Sequence, residues 1–451
     1  MGLGRWYNRT LNKIWGFVED RTSMRRWALR PQPEFTFKPS YWTGGFVATA
    51  FLYQVVSGAL LLMYYQPSTA TNATYTSCGQ AVGSLSPAPA AWCSTYYIIH
   101  SVPMGSLLLS THLYGSYAMI FLMFVHLFRG YYLGVYKAPR EFSWMVGTLL
   151  LVLTLGMGFT GYLLPYTQLS YNATDVGIVL ALRLPTVGPL LGPFILGDGT
   201  SQGLLSRMFD AHVLLIPLGI AALLYAHIAL FESHGIAPPA SSDPLQRRRF
   251  TDAESKQQVP FMPHIFFYLT KWGLLYVGIL FGIAALWPWN LGSYVGNTAV
   301  APPVTEPDWY FLWLFKLVDF AGVTPVLAVG ISTVVLLYFL FLPFLDLSKR
   351  THPRDRPVFI WLGTSLLGMF ITMTVWGGET PGIEIPPMAV AQMLVPIFLV
   401  NAVVVGLFHW RYARSYRRRL AARLGRGSPA GVAAPVGSPP PIAAAEVGAH
   451  E

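Results

Sequence analysis

Two apolar stretches, MGSLLLSTHLYGSYAMIFLMFVHLFRGYYLGVY at 104–136 and SRMFDAHVLLIPLGIAALLYAHIALF at 206–231, each carry two histidines. His112 and His126 are 14 residues apart, His212 and His227 15 residues apart. Read as α-helices rising about 1.5 Å per residue, the pairs span roughly 21 to 22 Å inside a hydrocarbon core of about 30 Å, so each helix has one histidine near each membrane face. At about 100° per residue the 14-residue step returns to within roughly 40° of its starting azimuth, and the 15-residue step to within roughly 60°. Both members of a pair therefore face one partner helix.

The surrounding chain suits this reading. Of its 451 residues, 53% are hydrophobic and 11% charged, too apolar a mixture for a soluble protein of this size. Runs long enough to span lie near 41–65, 104–136, 143–164, 206–231, 265–288, 324–345, 357–376 and 387–410. The expected fold is all-α, a polytopic membrane protein with eight transmembrane helices. Its first four helices, 41–233, form the histidine-bearing bundle, and the last four, 261–412, a C-terminal domain. A polar linker at 234–260 divides them. Residues 1–40, where Arg5, Arg9, Arg25 and Arg26 lie among Trp6, Ile14, Trp15 and Trp27, read as an amphipathic surface segment and not as a signal peptide. Residues 413–451 read as a tail, basic first and disordered after.

With residues 1–40 in the cytoplasm, 27 of the 30 Lys and Arg fall on the cytoplasmic side and only Arg183, Arg207 and Lys316 on the other. The expected location is the plasma membrane, multi-pass, with both termini cytoplasmic. The net charge of +10 follows from that rule and implies no nucleic-acid partner. Cys78 and Cys93 fall in the first outward loop, which has no Lys or Arg. A disulfide there suits the outside of a cell, and closing the loop stabilises the fold by about 3 kcal/mol on the chain-entropy model. Two free thiols are the alternative.

A lone histidine on an apolar helix face is more often a packing or proton-relay residue than a ligand. Here two helices running in the same direction set His112 level with His212, and His126 level with His227. Imidazoles from facing helices at two depths of a four-helix bundle suit two haems, each iron taking one histidine from each helix. Such six-coordinate iron passes single electrons, and without a Cys-x-x-Cys-His run the haems are of b type. Gly44 and Gly58, then Gly147 and Gly161, repeat the 14-residue spacing at the same depths, where a missing side chain lets a porphyrin approach the backbone. Ordinary helix packing is the other use of such glycines. Arg129 and Arg207 are placed to meet haem propionates at the inner and outer levels. Arg129 also fits as one more positive-inside charge. Pro217 removes a helical hydrogen bond, and a one-residue bulge after it would bring His227 back into line.

These residues resemble the cytochrome b subunit of quinol-oxidising cytochrome bc complexes, in a prokaryotic single-chain form. The resemblance covers roughly residues 38–345. It rests on Gly44, Gly58, His112 and His126; on Lys137-Ala-Pro-Arg-Glu141 with Trp144 and Gly147; on Gly161-Tyr-Leu-Leu-Pro165-Tyr-Thr-Gln168; on Arg207, His212, Pro217 and His227; and on Pro307-Asp308-Trp309-Tyr310. It implies a dimeric complex with a Rieske iron–sulfur protein and a c-type cytochrome or equivalent acceptor. It also implies an outer low-potential haem on His112 and His212, an inner high-potential haem on His126 and His227, and quinone sites at both faces. The outer site would lie between Pro165-Tyr166 and the turn Pro307, Asp308, Trp309, Tyr310, with Asp308 accepting a proton and Tyr310 hydrogen-bonding beside it. The alternative for the turn is an aromatic interface loop with a helix-capping aspartate. Glu232, His234, Asp252 and Lys271 are the candidates for protonating quinone at the inner face.

By the same resemblance one quinol electron leaves to the Rieske cluster and the other crosses to the inner quinone, which makes the chain the core of a proton-translocating quinol–cytochrome c reductase. Three positions depart from the family pattern. Pro-Asp-Trp-Tyr stands where Pro-Glu-Trp-Tyr is usual, similar to menaquinol users. Leu109 stands where relatives carry an arginine. Trp42 stands where the split-chain branch attaches a third haem, so none is expected here. The competing classes are a dihaem membrane anchor of formate dehydrogenase or hydrogenase type and a haem-free transporter. A pyridine haemochrome spectrum is expected to give two b haems per chain, which excludes the transporter, and copurification of a Rieske protein separates the other two.

Overall fold

The computed structural model describes residues 13, 16–23, 28–29, 31–33, 36–71, 78, 88–183, 187–196, 201–237, 240, 258–297 and 304–425. In it the apolar runs are helices: α1 (Thr43–Leu62), α2 (Ala90–His100), α3 (Gly105–Tyr132), α4 (Glu141–Leu163), α5 (Gln168–Leu182), α6 (Val187–Leu196), α7 (Ser201–His234), α8 (Phe266–Leu286), α9 (Trp309–Val318), α10 (Pro325–Leu345), α11 (Pro357–Glu379) and α12 (Pro387–Gly425). Eight of the described helices are long and apolar enough to cross a membrane, so the protein is an integral membrane protein. Their outward surfaces are apolar and bare: Leu52, Phe121, Leu218, Leu274, Val334 and Val403 are all exposed, as lipid-facing side chains are.

Two tight helix pairs organise the first half. α3 lies along α1 and α7 along α4, with α3 also meeting α4. The second half does not pack as one bundle. α8 lies against α3 and α1, α10 against α4 and α5, and α11 against α9 and α12. One short antiparallel pairing escapes any helical reading of the sequence, Pro31–Pro33 against Gln258–Pro260. It fastens the segment before α1 to the end of the linker. Most of residues 1–40, most of the linker including Asp252, and residues 426–451 lie outside the described residues. The basic residues that begin the tail continue α12 as far as Gly425.

The extra residue of the 15-residue step is visible in α7, in a different place from that expected. Ala211–Leu215 form a π turn in which the Ile216 N–H donates to the Ala211 carbonyl. The turn precedes Pro217 and contains His212; it does not follow the proline. The reason is steric, because a proline ring conflicts with the carbonyl four residues before it, so the turn that must widen is the preceding one.

Beyond the C-terminal ends of α3 and α10 a buried polar cluster ties the two halves together. Asp346, just past α10, takes Lys137 Nζ on Oδ1 at 2.7 Å and Arg356 Nη1 on Oδ2 at 3.2 Å. Tyr136 Oη donates to the same Oδ2 at 2.6 Å, and Arg356 Nη2 donates to the Tyr132 and Tyr131 carbonyls at 2.6 and 3.2 Å. Although burial opposes its charge, the bonds from Lys137 and Tyr136 hold the Asp346 carboxyl below the ordinary carboxylate range. On the other face Cys78 and Cys93 are disulfide-bonded, with Cα atoms 5.7 Å apart, and are buried with Trp92 and Tyr294. Asp346→Ala leaves Lys137 and Arg356 buried without their carboxylate. It is expected to destabilise the detergent-solubilised protein by about 3–5 kcal/mol, read as a lowered thermal unfolding midpoint.

Candidate functional site

The four histidines meet the four glycines, crosswise. A Cβ on Gly44 would stand 3.0 Å from His126 Cε1, one on Gly58 3.2 Å from His112 Cε1, one on Gly147 3.1 Å from His227 Cε1 and one on Gly161 2.5 Å from His212 Cε1. The glycines thus make room for the imidazoles themselves as well as for anything flat between the helices. Each ring is pressed by its own helix onto the glycine of the neighbouring antiparallel helix.

This packing engages Nδ1 in three of the four rings. His112 Nδ1 is 2.8 Å from Ser57 Oγ, and the one Ser57 hydroxyl proton goes to the Tyr53 carbonyl at 2.8 Å. Ser57 therefore accepts from His112 Nδ1–H. His212 Nδ1 is 3.0 Å from the Met157 carbonyl, which can only accept, and 3.3 Å from Thr160 Oγ1. His126 Nδ1 is 2.9 Å from Thr43 Oγ1. With the proton on Nδ1 and engaged outward, the Nε2 lone pair is left for a metal, the arrangement that orients ligating histidines.

The spacing fits an iron between the rings. His112 and His212 have ring centres 6.4 Å apart at 77°, and His126 and His227 have centres 6.4 Å apart at 78°. Two metal–imidazole bonds of about 2 Å, plus roughly 1.1 Å from each ring nitrogen to its centre, place the centres about 6.2 Å apart. Among the described residues no three His, Cys, Asp or Glu side chains cluster as a bare-ion site. Two facing imidazoles suit an iron whose other donors come from a porphyrin.

Each pair opens on its own cavity. The inner one, about 940 Å³ of atom-free space counted to its mouth, is lined by His126, His227, Tyr41, Arg129, Arg140 and Trp144 among others. Arg129 stacks over Tyr41 at 4.9 Å, and its Nε is buried with no hydrogen-bond partner, a cation ready for an anionic ligand. The outer cavity, about 1480 Å³ on the same count, is lined by His112, His212, Leu109, Pro165, Asp308 and Tyr310 among others. The outer histidines and the 307–310 turn therefore share one space. Leu109 is buried and brings no charge to it. Arg207 does not line it and donates to the Gly203 carbonyl of its own helix at 3.3 Å.

In that shared space Asp308 is held by two phenols. Tyr117 Oη on α3 donates to Oδ1 at 2.6 Å and Tyr310 Oη to Oδ2 at 2.8 Å. Asp308 occupies the N-cap position of α9, yet its side chain makes no capping bond. Burial pushes its carboxyl above the ordinary carboxylate range, against the two hydroxyl bonds. Gly158 on α4 makes room for Tyr310, since a Cβ there would stand 2.5 Å from the phenol oxygen. Tyr162 Oη donates to the Glu306 carbonyl at 2.9 Å and pins the turn.

Of the other outer-site residues, Pro165 lines the cavity, but Tyr166, at φ 52° where α4 stops, turns its buried ring onto Tyr171. Trp309 packs against Phe124, and Pro307 is not among the lining residues. The inner-face candidates are not brought together. Glu232 is exposed, His234 Nδ1 bonds the Leu230 carbonyl at 2.8 Å, Lys271 stands over Tyr268 and Trp272, and none lines the inner cavity. Sequence reasoning missed Tyr117, Tyr162, Gly158 and Arg140. Only the dipeptides Thr43-Gly44, Ser57-Gly58 and Thr160-Gly161 carried a readable sign, a hydroxyl before the glycine that faces each of three histidines.

A membrane bundle with two facing imidazole pairs at two depths defines a protein of the membrane electron-transport class. The family description "Cytochrome b(N-terminal)/b6/petB" matches residues 117–293 and "Cytochrome b(C-terminal)/b6/petD" matches residues 295–399. A cytochrome b of Sulfolobus acidocaldarius is 33% identical over 419 residues, covering 87% of this chain and 70% of that protein. A cytochrome bc complex cytochrome b subunit of Chlorobaculum thiosulfatiphilum is 32% identical over 345 residues, 74% of this chain and 72% of that one. A menaquinol:cytochrome c reductase cytochrome b subunit of Bacillus subtilis is 32% identical over 241 residues, 51% of this chain and 99% of its own. Among solved structures, a chain of a hyperthermophilic respiratory Complex III superposes with a TM-score of 0.65 at 25% identity, covering 87% of this chain and 96% of that chain. The chain belongs to the cytochrome b family, the membrane subunit of cytochrome bc-type complexes, and membership implies haem b binding.

The glycine geometry predicts a graded series. Gly161→Ala, whose Cβ would overlap His212 most, is expected to lose the outer haem. Gly58→Ala, with the longest contact, is expected to retain most of it. Haem-to-protein ratios of the purified variants check the order.

Proposed function

We propose that this chain is the dihaem core of a quinol:cytochrome c oxidoreductase that oxidises quinol in the outer cavity and returns an electron to quinone at the inner face. The observation that carries the reading is the single outer cavity, which His112, His212, Asp308 and Tyr310 all line. When bound, two b haems between the histidine pairs carry single electrons across the membrane. The chain's own part is to place and deprotonate the substrate.

A quinol hydroxyl entering this cavity meets the Asp308 carboxylate, whose two oxygens are held in place by Tyr117 and Tyr310. Burial raises the proton affinity of that carboxylate, which makes it a better acceptor near neutral pH. Apolar neighbours such as Leu109, Leu113 and Met119 keep bulk water out and receive the quinol's hydrocarbon part. One electron passes to a Rieske iron–sulfur protein and on to a c-type cytochrome or equivalent. The other serves quinone reduction at the inner face, for which Glu232, His234, Asp252 and Lys271 stay the candidate proton donors. The aspartate of Pro307-Asp308-Trp309-Tyr310, together with the menaquinol reductases among the relatives, favours a menaquinol-type substrate. The working unit is a homodimeric complex in the plasma membrane, with both ends of the chain cytoplasmic.

Protonated Asp308 cannot accept a proton, so quinol oxidation should rise with pH through the raised Asp308 pKa and level off above it. Asp308→Asn is expected to lower kcat/KM about 10²–10⁴-fold and to flatten this acid limb, while Tyr117→Phe and Tyr310→Phe shift it upward by removing bonds to the carboxylate. Steady-state quinol oxidation across pH reads all three. Full turnover with an unchanged profile in Asp308→Asn would assign the proton elsewhere.

A further inference from the structure

The four imidazoles are not held alike. Thr43-Gly44, Ser57-Gly58 and Thr160-Gly161 each put a hydroxyl before the glycine that receives a histidine ring, whereas the fourth pair is Val146-Gly147. Ser57 Oγ meets His112 Nδ1 at 2.8 Å, Thr160 Oγ1 and the Met157 carbonyl meet His212 Nδ1 at 3.3 and 3.0 Å, and Thr43 Oγ1 meets His126 Nδ1 at 2.9 Å. His227 Nδ1 is buried and faces the Ser143 carbonyl, short of a full hydrogen bond. The outer pair thus has three hydrogen-bond partners on its Nδ1 atoms, and the inner pair has Thr43 Oγ1 and the more weakly bonded Ser143 carbonyl.

We infer that the residue before each glycine is a positioning residue that sets how strongly the opposite histidine donates to its haem iron, and that Val146 leaves His227 the weakest donor of the four. The inference rests on the haem reading above. An Nδ1–H that donates to an oxygen raises the basicity of the imidazole and fixes its tautomer and orientation. A stronger axial donor favours the oxidised metal, so better-bonded ligands lower the reduction potential. The outer haem is accordingly held lower and the inner one higher by second partners of the ligands, while the ligands themselves are the same four histidines.

Side-chain packing alone does not account for the pattern. Ser and Thr in apolar helices usually bond back to a carbonyl of their own helix, and Ser57 and Thr160 do so, to Tyr53 and Gly156. Their remaining lone pairs are nevertheless aimed at the neighbouring helix, onto one atom of one ring. At 146 the slot holds a residue of nearly threonine shape with no oxygen, and Val146 is partly buried in the surrounding core.

The test is a potentiometric titration of both haems in the purified complex, following their α-bands. Ser57→Ala is expected to raise the outer potential and leave the inner one in place, with Ser57→Thr restoring it. Val146→Thr, which adds a partner, is expected to lower the inner potential and leave the outer one in place. Each shift should be of the order of a tenfold change in the reduction equilibrium, 59 mV for one electron, at unchanged haem content. Two haems with both potentials unmoved in Ser57→Ala and Val146→Thr would overturn the inference. A wild-type complex without b haem would instead overturn the haem reading on which it stands.

Discussion

An imidazole inside a lipid bilayer has no water to hydrogen-bond, and the rest of this structure follows from that constraint. Each of the four rings has one nitrogen that must be engaged within the protein and one that points into the bundle. Close approach of two helices meets the first demand for His112, His126 and His212 and least well for His227, and glycine at the contact permits it. α1 lies along α3, and α4 along α7, at the points where Gly44, Gly58, Gly147 and Gly161 receive His126, His112, His227 and His212. The antiparallel course of each pair explains the crossed matching, since the first glycine of one helix is level with the second histidine of the other.

The two cavities that open from these pairs differ in chemistry. The inner one has Arg129 and Arg140 on its walls and favours anionic groups. The outer one is mostly apolar, with a single carboxylate shared between phenols. A carboxylate in such surroundings exchanges protons more readily near neutrality than one in water. The N-cap position of Asp308 could have satisfied its oxygens locally; Tyr117, from a helix almost two hundred residues earlier in the chain, takes one of them instead. That bond connects the first half of the molecule to the turn in the second half that completes the cavity.

The halves are joined again at the other face through Lys137, Asp346 and Arg356. Three buried charges are costly to desolvate and are held there by mutual pairing and by the Tyr131 and Tyr132 carbonyls. Their placement keeps α10 and α11 in register with the loop between α3 and α4. The geometry of the outer cavity depends on the same register, because α9, which begins at Asp308, packs on α10 and α11.

What the sequence determined by itself is periodic or local. Eight apolar runs became eight spans because the bilayer admits almost nothing else, and the 14- and 15-residue steps put histidines at two depths because helix geometry is invariant. The widening of α7 was legible in kind from Pro217 and the longer step, but its position before the proline depended on which neighbouring turn yields. Tertiary structure alone decided what meets across helices: Tyr117 on Asp308, Ser57 and Thr160 on the histidine Nδ1 atoms, and Tyr166 turned onto Tyr171 while Pro165 faces the cavity. The inner candidates Glu232, His234 and Lys271 could not be sorted in advance, since at a helix end every azimuth is polar and hydropathy no longer marks the inward face. Depth in the membrane is a one-dimensional quantity that a sequence carries along its length. Which side chains share a cavity is set by the rotation and mutual approach of helices far apart in the chain, and only the packed bundle supplies that.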